Sequence, residues 1–84
     1  MKYRLLLNLE VYDFLATLKP AERRQLRKRF GELLESPTRW EEFVDRDALG
    51  RSVGVTICGH FAITFWEDFA DRKVKILRIV PADR

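Results

Sequence analysis

One cysteine and one histidine, Cys58 and His60, are the only residues of these two types in a sequence of 84 residues. A lone cysteine excludes an intrachain disulfide and a cysteine-based metal cluster, so a reducing, cytoplasmic location is the simplest interpretation. No apolar run approaches the roughly 20 residues that a membrane-spanning helix requires, and the start of the sequence lacks the features of a secretory signal peptide. We therefore expect no metal, no cofactor and no membrane association.

Local catalytic motifs are also absent. The sequence contains no glycine-rich phosphate loop and no GxSxG, HExxH or CxxC motif. His60 follows Gly59 and is either a surface residue of a turn or a general acid or base. Cys58 alternates with apolar neighbours, which is typical of a small core residue. Several acidic residues lie in predicted loops, where solvated charge is the ordinary interpretation and metal binding by carboxylates is only weakly indicated. These residues are Glu41, Glu42, Asp45, Asp47, Asp68 and Asp71.

Charge is segregated along the chain. The composition, 46% hydrophobic and 35% charged, is that of a globular protein, and the length predicts a single domain over residues 1–84. Residues 1–39 carry nine basic and five acidic groups, residues 40–71 carry two and seven, and residues 72–84 carry five and one. If the two basic ends meet in space they build a positive face. Alternatively, the basic and acidic segments neutralise each other across the fold.

The first half of the sequence predicts a strand followed by a helical hairpin. Residues 3–8, YRLLLN, contain an apolar run that is too short for a helix and typical of a buried strand. Asn8 is a suitable N-cap, and Pro20 ends a first helix and suits the first turn of a second. Apolar residues at helical spacing predict an αα-hairpin over residues 9–35. These residues are Val11, Phe14, Leu15 and Leu18 in the first helix and Leu26, Phe30, Leu33 and Leu34 in the second.

The second half of the sequence predicts strands. Residues 38–50 are acidic and irregular, and indicate either a short helical turn or an extended edge. A tight turn at Gly59 and a longer one at residues 67–72 separate the segments that follow. Alternating apolar residues predict that these segments are strands, at 53–58, 61–66 and 73–80.

The predicted fold class is α+β, with the element order β-α-α-β-β-β. The helical hairpin covers one face of a four-stranded, largely antiparallel sheet, because two helices that follow one strand must bury their apolar stripes against it. The other face of the sheet is left open for a partner.

A run of basic residues in the second helix is the first candidate for binding a polyanion. Residues 22–30, ERRQLRKRF, carry five basic side chains. At about 100° per residue, the solvent side of the helix holds Arg24, Arg27 and Lys28. Most basic residues of this run are explained by their position on the solvent-exposed side of an amphipathic helix. Such charges also raise association rates with RNA or an acidic partner. The two remaining residues flank the apolar stripe and are Arg23 and Arg29.

Arg78 interrupts the apolar sequence ILRIV in a predicted strand. It shares the parity of Ile76, and a charge on the helix-covered face is costly to bury. Arg78 therefore forms a structural ion pair or contacts a phosphate on the open face. Two tryptophans, Trp40 and Trp66, are packing groups or stacking platforms, and the strand parity of Trp66 favours the open side.

Two segments of the first 70 residues resemble the RelE/ParE superfamily of bacterial type II toxins, which includes plasmid stabilisation proteins. The first is YRLLLNLEVYDFLATLKPAERRQLRKRFGELLESP, a strand and a hairpin of helices with a proline near the turn. The second is ICGHFAITFWED, in which Gly59, Phe61 and Phe65 match a glycine and two aromatic residues of the family. The C-terminal sequence VKILRIVPADR extends the resemblance, because Arg78 and Arg84 match basic residues of the final strand and terminus.

The resemblance implies a toxin that is neutralised by an antitoxin encoded beside it. RelE-like members cleave mRNA in the decoding site of the ribosome, whereas ParE-like members inhibit DNA gyrase without being nucleases. We expect mRNA cleavage, with gyrase inhibition or a purely interacting, degenerate member as the alternatives. The implied partners are a cognate antitoxin and either the ribosome with its mRNA or gyrase. A homodimer or a hetero-oligomer with the antitoxin is also implied.

If the chain is a nuclease, the resemblance implies that Arg78 contacts the phosphate. Arg51, at the start of a predicted strand, is the candidate for a second cation, and His60 is a distant candidate for proton transfer. Ala62 stands where the family often has an arginine, and the sequence ends at Arg84 without the tyrosine or histidine that nuclease members use. Whether the chain is an enzyme therefore stays open. Residues expected to bind nucleic acid or a partner are Arg24, Arg27, Lys28, Lys73, Lys75, Arg84 and Trp66.

Overall fold

Five strands, two α-helices and a 3₁₀ turn make up residues 3–82, the part of the chain that this computed structural model describes. In chain order the elements are β1 (Arg4–Leu7), α1 (Leu9–Ala16), α2 (Pro20–Glu35), a 3₁₀ turn (Pro37–Trp40), β2 (Phe43–Arg46), β3 (Ser52–Cys58), β4 (Phe61–Asp68) and β5 (Lys73–Pro81). Within this part of the chain, neither helix has the length and apolar character needed to cross a membrane. The helical hairpin and the three C-terminal strands lie where periodicity predicts them.

The strands form one mixed sheet in the order β1-β5-β4-β3-β2. Neighbours from β2 to β5 are antiparallel, whereas β1 runs parallel to β5. The prediction of four strands is therefore wrong, because β2 adds a fifth at the edge. All four residues of β2 are exposed, so the apolar alternation that reveals a half-buried strand is missing. Segment 38–50 contains both predicted alternatives, a helical turn and an extended edge.

Local sequence explains where both helices begin. Asn8 is the N-cap of α1, but its side chain does not cap the helix; its Nδ2 donates to the carbonyl of Leu77 on β5 at 3.2 Å. Pro20 is the first residue of α2, where its missing N–H costs nothing. The Glu22 carboxylate accepts the N–H of Lys19 at 3.1 Å. The hairpin is thus anchored to the sheet at one end and closed by a proline at its turn.

The core lies between the helices and one face of the sheet. The helical residues Val11, Leu26 and Leu33 are at most 1% exposed, and they share one cluster with Ile63 and Ile76, whose exposure is 0%. Burying side chains of this size stabilises the fold by about 1.5–3 kcal/mol each, before the entropy of ordering is subtracted. The apolar stripes of the sequence are therefore the contacts that hold the helices on the sheet.

A bulge in β5 decides which face Arg78 occupies. The strands β4 and β5 pair Phe65 with Ile76, but the next pair joins Thr64 to Arg78, so Leu77 is an extra residue. A regular strand would place Ile76 and Arg78 on the same face, as the sequence parity predicts. That prediction is wrong, because the bulge turns Arg78 away from the core. Ile76 is buried and Arg78 is exposed.

Candidate nucleic-acid interface

The sheet face opposite the helices, called here the uncovered face, carries several of the candidate site residues. Cross-strand partners lie on the same face of a sheet, and the register forms a row in which Phe43 pairs with Val55, Val55 with Thr64, and Thr64 with Arg78. The row ends at a guanidinium group that has no hydrogen bond or ion pair with any residue in the range 3–82. Arg78 is therefore available to an external anion.

Trp66 lies next to this row, opposite Lys75 on β5. Two cations lie against its indole ring: Cζ of Arg51 is 4.4 Å and Nζ of Lys75 is 4.8 Å from the ring centroid. Both distances are within the range of a cation–π interaction. Lys75 Nζ also lies 3.6 Å from Oδ2 of Asp68. We refer to Arg51, Trp66 and Lys75 as the cation–indole cluster.

Asp47 fixes the position of Arg51. Its Oδ2 accepts a hydrogen bond from Arg51 Nε at 2.6 Å, and its Oδ1 accepts the backbone N–H groups of Leu49 and Arg51 at 2.9 and 2.8 Å. Partial burial alone would raise the pKa of Asp47, but the hydrogen bonds from Arg51 and Leu49 outweigh it and hold the pKa below its ordinary value. Asp47 is therefore ionised at neutral pH and ties the β2–β3 loop to the Arg51 side chain.

Sequence reasoning missed Asp47, although a signal for it exists. An aspartate that accepts the N–H two residues further on is typical of a turn, and Gly50 follows it with a φ of 83°, a conformation that favours glycine. Together, Asp47 and Gly50 mark a tight loop that delivers Arg51 to the start of β3.

The three predicted catalytic residues do not all come together. Arg51 lies over Trp66 and Arg78 lies opposite Thr64, and these two β4 residues are same-face neighbours. His60 is an exposed residue of the β3–β4 turn. It is four residues from Thr64 along the sheet, which corresponds to about 13 Å at roughly 3.3 Å per residue. The structure thus groups the two arginines and separates His60 from them.

The basic ends of the chain meet where β1 pairs with β5, and Arg4 lies opposite Lys73 there. Lys73 and Lys75 flank the buried Val74, so both point to the uncovered face together with Arg78. The basic residues of α2 lie in the helical layer on the other side of the sheet, where Arg24, Arg27 and Lys28 are all exposed. Arg84 lies outside the described residues. Two separate basic surfaces result, one on each side of the sheet.

Arg29, from the same helical run, is a structural residue. Its guanidinium donates to Oγ1 of Thr56 at 2.7 Å and to the carbonyl of Ile57 at 2.8 Å, and it pairs with Glu32 at 2.9 Å. Its Cζ lies 4.2 Å from the centroid of the Trp40 ring. These contacts bind α2 to β3, so Arg29 is engaged within the fold and Trp40 is a packing group.

An apolar groove of about 540 Å³ lies between the helical hairpin and β1. Leu5 and Tyr12 in its wall are 37% and 65% exposed, in contrast to the residues of the core. Apolar side chains from both helices and β1 line the groove, namely Leu5, Leu7, Tyr12, Leu15, Phe30 and Leu34. A groove of this shape fits the apolar side of an extended or helical peptide.

The fold matches that of one chain in a solved toxin–antitoxin complex. The chain superimposes with a TM-score of 0.83 on a chain of the archaeal RelE–RelB complex from Pyrococcus horikoshii OT3, with 21% sequence identity, over 100% of this chain and 99% of that chain. The chain therefore has a RelE-like fold, which confirms the resemblance at the level of structure. No family model matches the sequence, and neither does any curated protein.

Proposed function

We propose that this chain is the toxin of a bacterial type II toxin–antitoxin module and that it inhibits growth by cleaving mRNA at the ribosome in the cytoplasm. The RelE-like fold supports the toxin assignment. The observation that carries the proposal is the uncovered face, where Arg78 lies near the cation–indole cluster, exposed and without an ion pair or hydrogen bond to any residue of the range 3–82. Cations combined with an aromatic ring are typical of surfaces that bind single-stranded nucleic acid.

The proposed chemistry is transesterification at a scissile phosphate. Charge develops on the phosphate oxygens in the transition state, and positioned cations stabilise it. Arg78 has the planar fork of donors that suits a phosphate, and Arg51 is the second cation. The ribose 2′-oxygen forms a bond to phosphorus while the bond from phosphorus to the 5′-oxygen breaks, so one group must take the proton of the 2′-hydroxyl and another must protonate the leaving 5′-oxygen. His60, about 13 Å from Thr64 along the sheet, lies beyond hydrogen-bond reach of a phosphate bound beside Thr64 and Arg78.

A non-enzymatic inhibitor of DNA gyrase is the second candidate, and a degenerate member that only binds a partner is the third. Both are favoured because the two carboxylates beside the cation–indole cluster already have cationic partners within the fold. Asp47 is paired with Arg51, and Asp68 with Lys75. A binding protein needs complementary charge and shape but no proton-transfer group.

Cell-free translation distinguishes these candidates. Addition of the purified protein is expected to truncate a translated mRNA at positions that primer extension can map, and to leave an untranslated copy of the same mRNA intact. Gyrase supercoiling is expected to be unaffected. Intact mRNA together with inhibited supercoiling would establish the gyrase inhibitor instead, and silence in both assays would favour an interaction role.

The proposal includes a cognate antitoxin whose apolar segment occupies the groove beside β1. We expect the product of a neighbouring short reading frame to co-purify with this chain. Tyr12→Glu places a charge in the groove, so it is expected to reduce the recovered partner about tenfold or more. Phe69→Glu is the matched control, because Phe69 is also 65% exposed but lies in the β4–β5 turn. Equal losses from both variants would contradict docking in the groove.

A further inference from the structure

We infer that Arg51, lying over Trp66 and tethered by Asp47, forms a stacking platform for one unpaired base of single-stranded RNA. This inference rests on the proposed function, because it takes RNA as the ligand of the uncovered face. It adds a specific role for Arg51 beyond that of a positive charge.

The first observation is the geometry of the stack. Arg51 Cζ lies 4.4 Å from the indole centroid, yet 40% of the Arg51 side chain remains exposed. The guanidinium thus lies against the ring, and part of the side chain is accessible to a ligand. Guanidinium planes accept nucleobases by stacking, as aromatic rings do. In the proposed complex a base stacks on the accessible side of the guanidinium, so that the guanidinium lies between the base and the indole ring.

The second observation is the tether that holds this geometry without a ligand. Asp47 is only 17% exposed, and Nε is the one nitrogen of the Arg51 side chain that it binds. The two terminal nitrogens of Arg51 have no hydrogen bond with any residue that the structure describes. A long side chain that is already ordered loses less entropy when a ligand binds. Asp47 is therefore a positioning residue, and the terminal nitrogens stay free for a phosphate or a base edge.

The third observation is the distance to Arg78, which has no ion pair or hydrogen bond with residues 3–82. Trp66 and Thr64 are two residues apart on β4, which corresponds to about 7 Å. Arg78 lies opposite Thr64, so it is within reach of a phosphate of the same or the adjacent nucleotide. The platform thus selects for the presence of a base, and Arg78 supplies affinity for the backbone.

The test compares two oligonucleotides that carry the same number of phosphates. The probes are an unstructured 2′-O-methyl RNA octamer, which cannot be cleaved through its 2′-oxygen, and an abasic octamer. Fluorescence anisotropy is expected to show that the wild-type protein binds the base-bearing probe about tenfold more tightly, since stacking supplies energy that the abasic probe cannot gain. A difference due to charge alone is excluded by the matched backbones.

The decisive variant is Arg51→Lys, which keeps the charge and removes the plane. It is expected to lose the preference for bases while the salt dependence of binding stays the same. Asp47→Asn keeps the oxygen that accepts the loop N–H groups but releases Arg51. It is expected to weaken the preference although the net charge becomes more positive. Arg39→Lys is the matched control, because Arg39 is exposed in the 3₁₀ turn and belongs to none of the candidate binding residues, and the preference of this variant should equal that of the wild type.

An Arg51→Lys variant that still prefers the base-bearing probe would overturn the platform. Equal wild-type affinity for both probes would overturn it as well, while cleavage in the translation assay would leave the proposed function standing. A wild-type protein that binds neither probe would overturn the platform, and silence in the translation assay would then remove the proposed function separately.

Discussion

Thr64 on β4 and Arg78 on β5 are cross-strand partners on the uncovered face, although Ile76, only two residues before Arg78, points into the core. The extra residue Leu77 in the bulge places the side chains of Ile76 and Arg78 on opposite faces of the sheet. It allows one strand to contribute buried apolar residues to the helical side and an exposed guanidinium to the other side. No charge is buried in the process, so the core avoids the penalty of an uncompensated ion.

Loss of the Arg78 side chain is expected to abolish toxicity without unfolding the protein. Arg78→Ala removes a cation of the uncovered face that has no ion pair or hydrogen bond with residues 3–82, and removing one donor from a site of developing negative charge typically lowers a rate by about 10²–10³. Growth inhibition in cells and primer extension in cell-free translation measure the effect. Arg39→Ala is the matched control, since it removes the same charge from an exposed position in the 3₁₀ turn. Full toxicity of a folded Arg78→Ala protein would eliminate the phosphate role.

Deletion of Leu77 is expected to leave the protein folded. Without the extra residue, Ile76 still faces the core and Arg78 still faces outward, because the strand then alternates regularly. We expect the melting temperature to fall by about 10 °C or less, equivalent to a cost of about 1–2 kcal/mol. Deletion of Ala62 from β4 is the control, because it places Phe61 and Ile63 next to each other and forces one of these core residues outward. Equal destabilisation by both deletions would show that the bulge is required for folding.

Two glycine substitutions are expected to have opposite effects on stability. A Cβ at Gly54 would lie 2.8 Å from Cζ of Phe65 and 3.1 Å from Cγ of Glu41, so Gly54→Ala should cost about 1–3 kcal/mol through overpacking. Gly31 lies within α2, and a Cβ there meets no atom within 4 Å. Gly31→Ala should therefore stabilise the protein by about 0.5–1 kcal/mol. Urea unfolding at neutral pH gives both values, and a stabilising Gly54→Ala would contradict the packing described for β3.

The pair formed by Asp47 and Arg51 is expected to make stability depend on acidic pH. Because the folded state holds the pKa of Asp47 below its ordinary value of 3.8, the unfolded state binds the proton more readily as pH falls. The stabilising contribution is therefore complete above about pH 5 and is lost as the pH falls through the folded-state pKa. The difference in unfolding free energy between the wild type and Asp47→Asn should shrink over that interval. If this difference in unfolding free energy is instead constant from pH 7 to pH 3, it arises from packing rather than from the charge of Asp47.

The helical hairpin and the three C-terminal strands follow from local patterns in the sequence. Pro20 separates two apolar stripes of helical period, and Gly59, with a φ of 60°, supplies the turn between two alternating runs. These signals depend on residues close together in the chain, so the sequence is enough to predict them. The apolar stripes also identify the core, since Leu26 and Leu33 are fully buried.

The remaining features depend on partners that are distant in the chain. The face of the sheet on which Arg78 lies depends on how β5 pairs with β4. Both strands set the pairing register, and a bulge shifts that register by one residue. The contact between Arg51 and Trp66 likewise requires the register of β3 and β4. The edge strand β2 has no buried residue, so nothing in its pattern distinguishes it from a loop. The candidate site was thus predicted as separate residues, and only the structure shows which of them meet.

The pairing of the first strand with the last has a consequence during synthesis. Arg4 and Lys73 are register partners, and the N–H of Arg4 donates to the carbonyl of Arg72 at 2.9 Å. Contacts between residues so far apart form late, because the intervening chain must first be ordered. Among the described residues, β1 therefore has no strand partner until β5 has been synthesised. A fragment that stops before β5 leaves β1 without a neighbour and one edge of β4 unpaired.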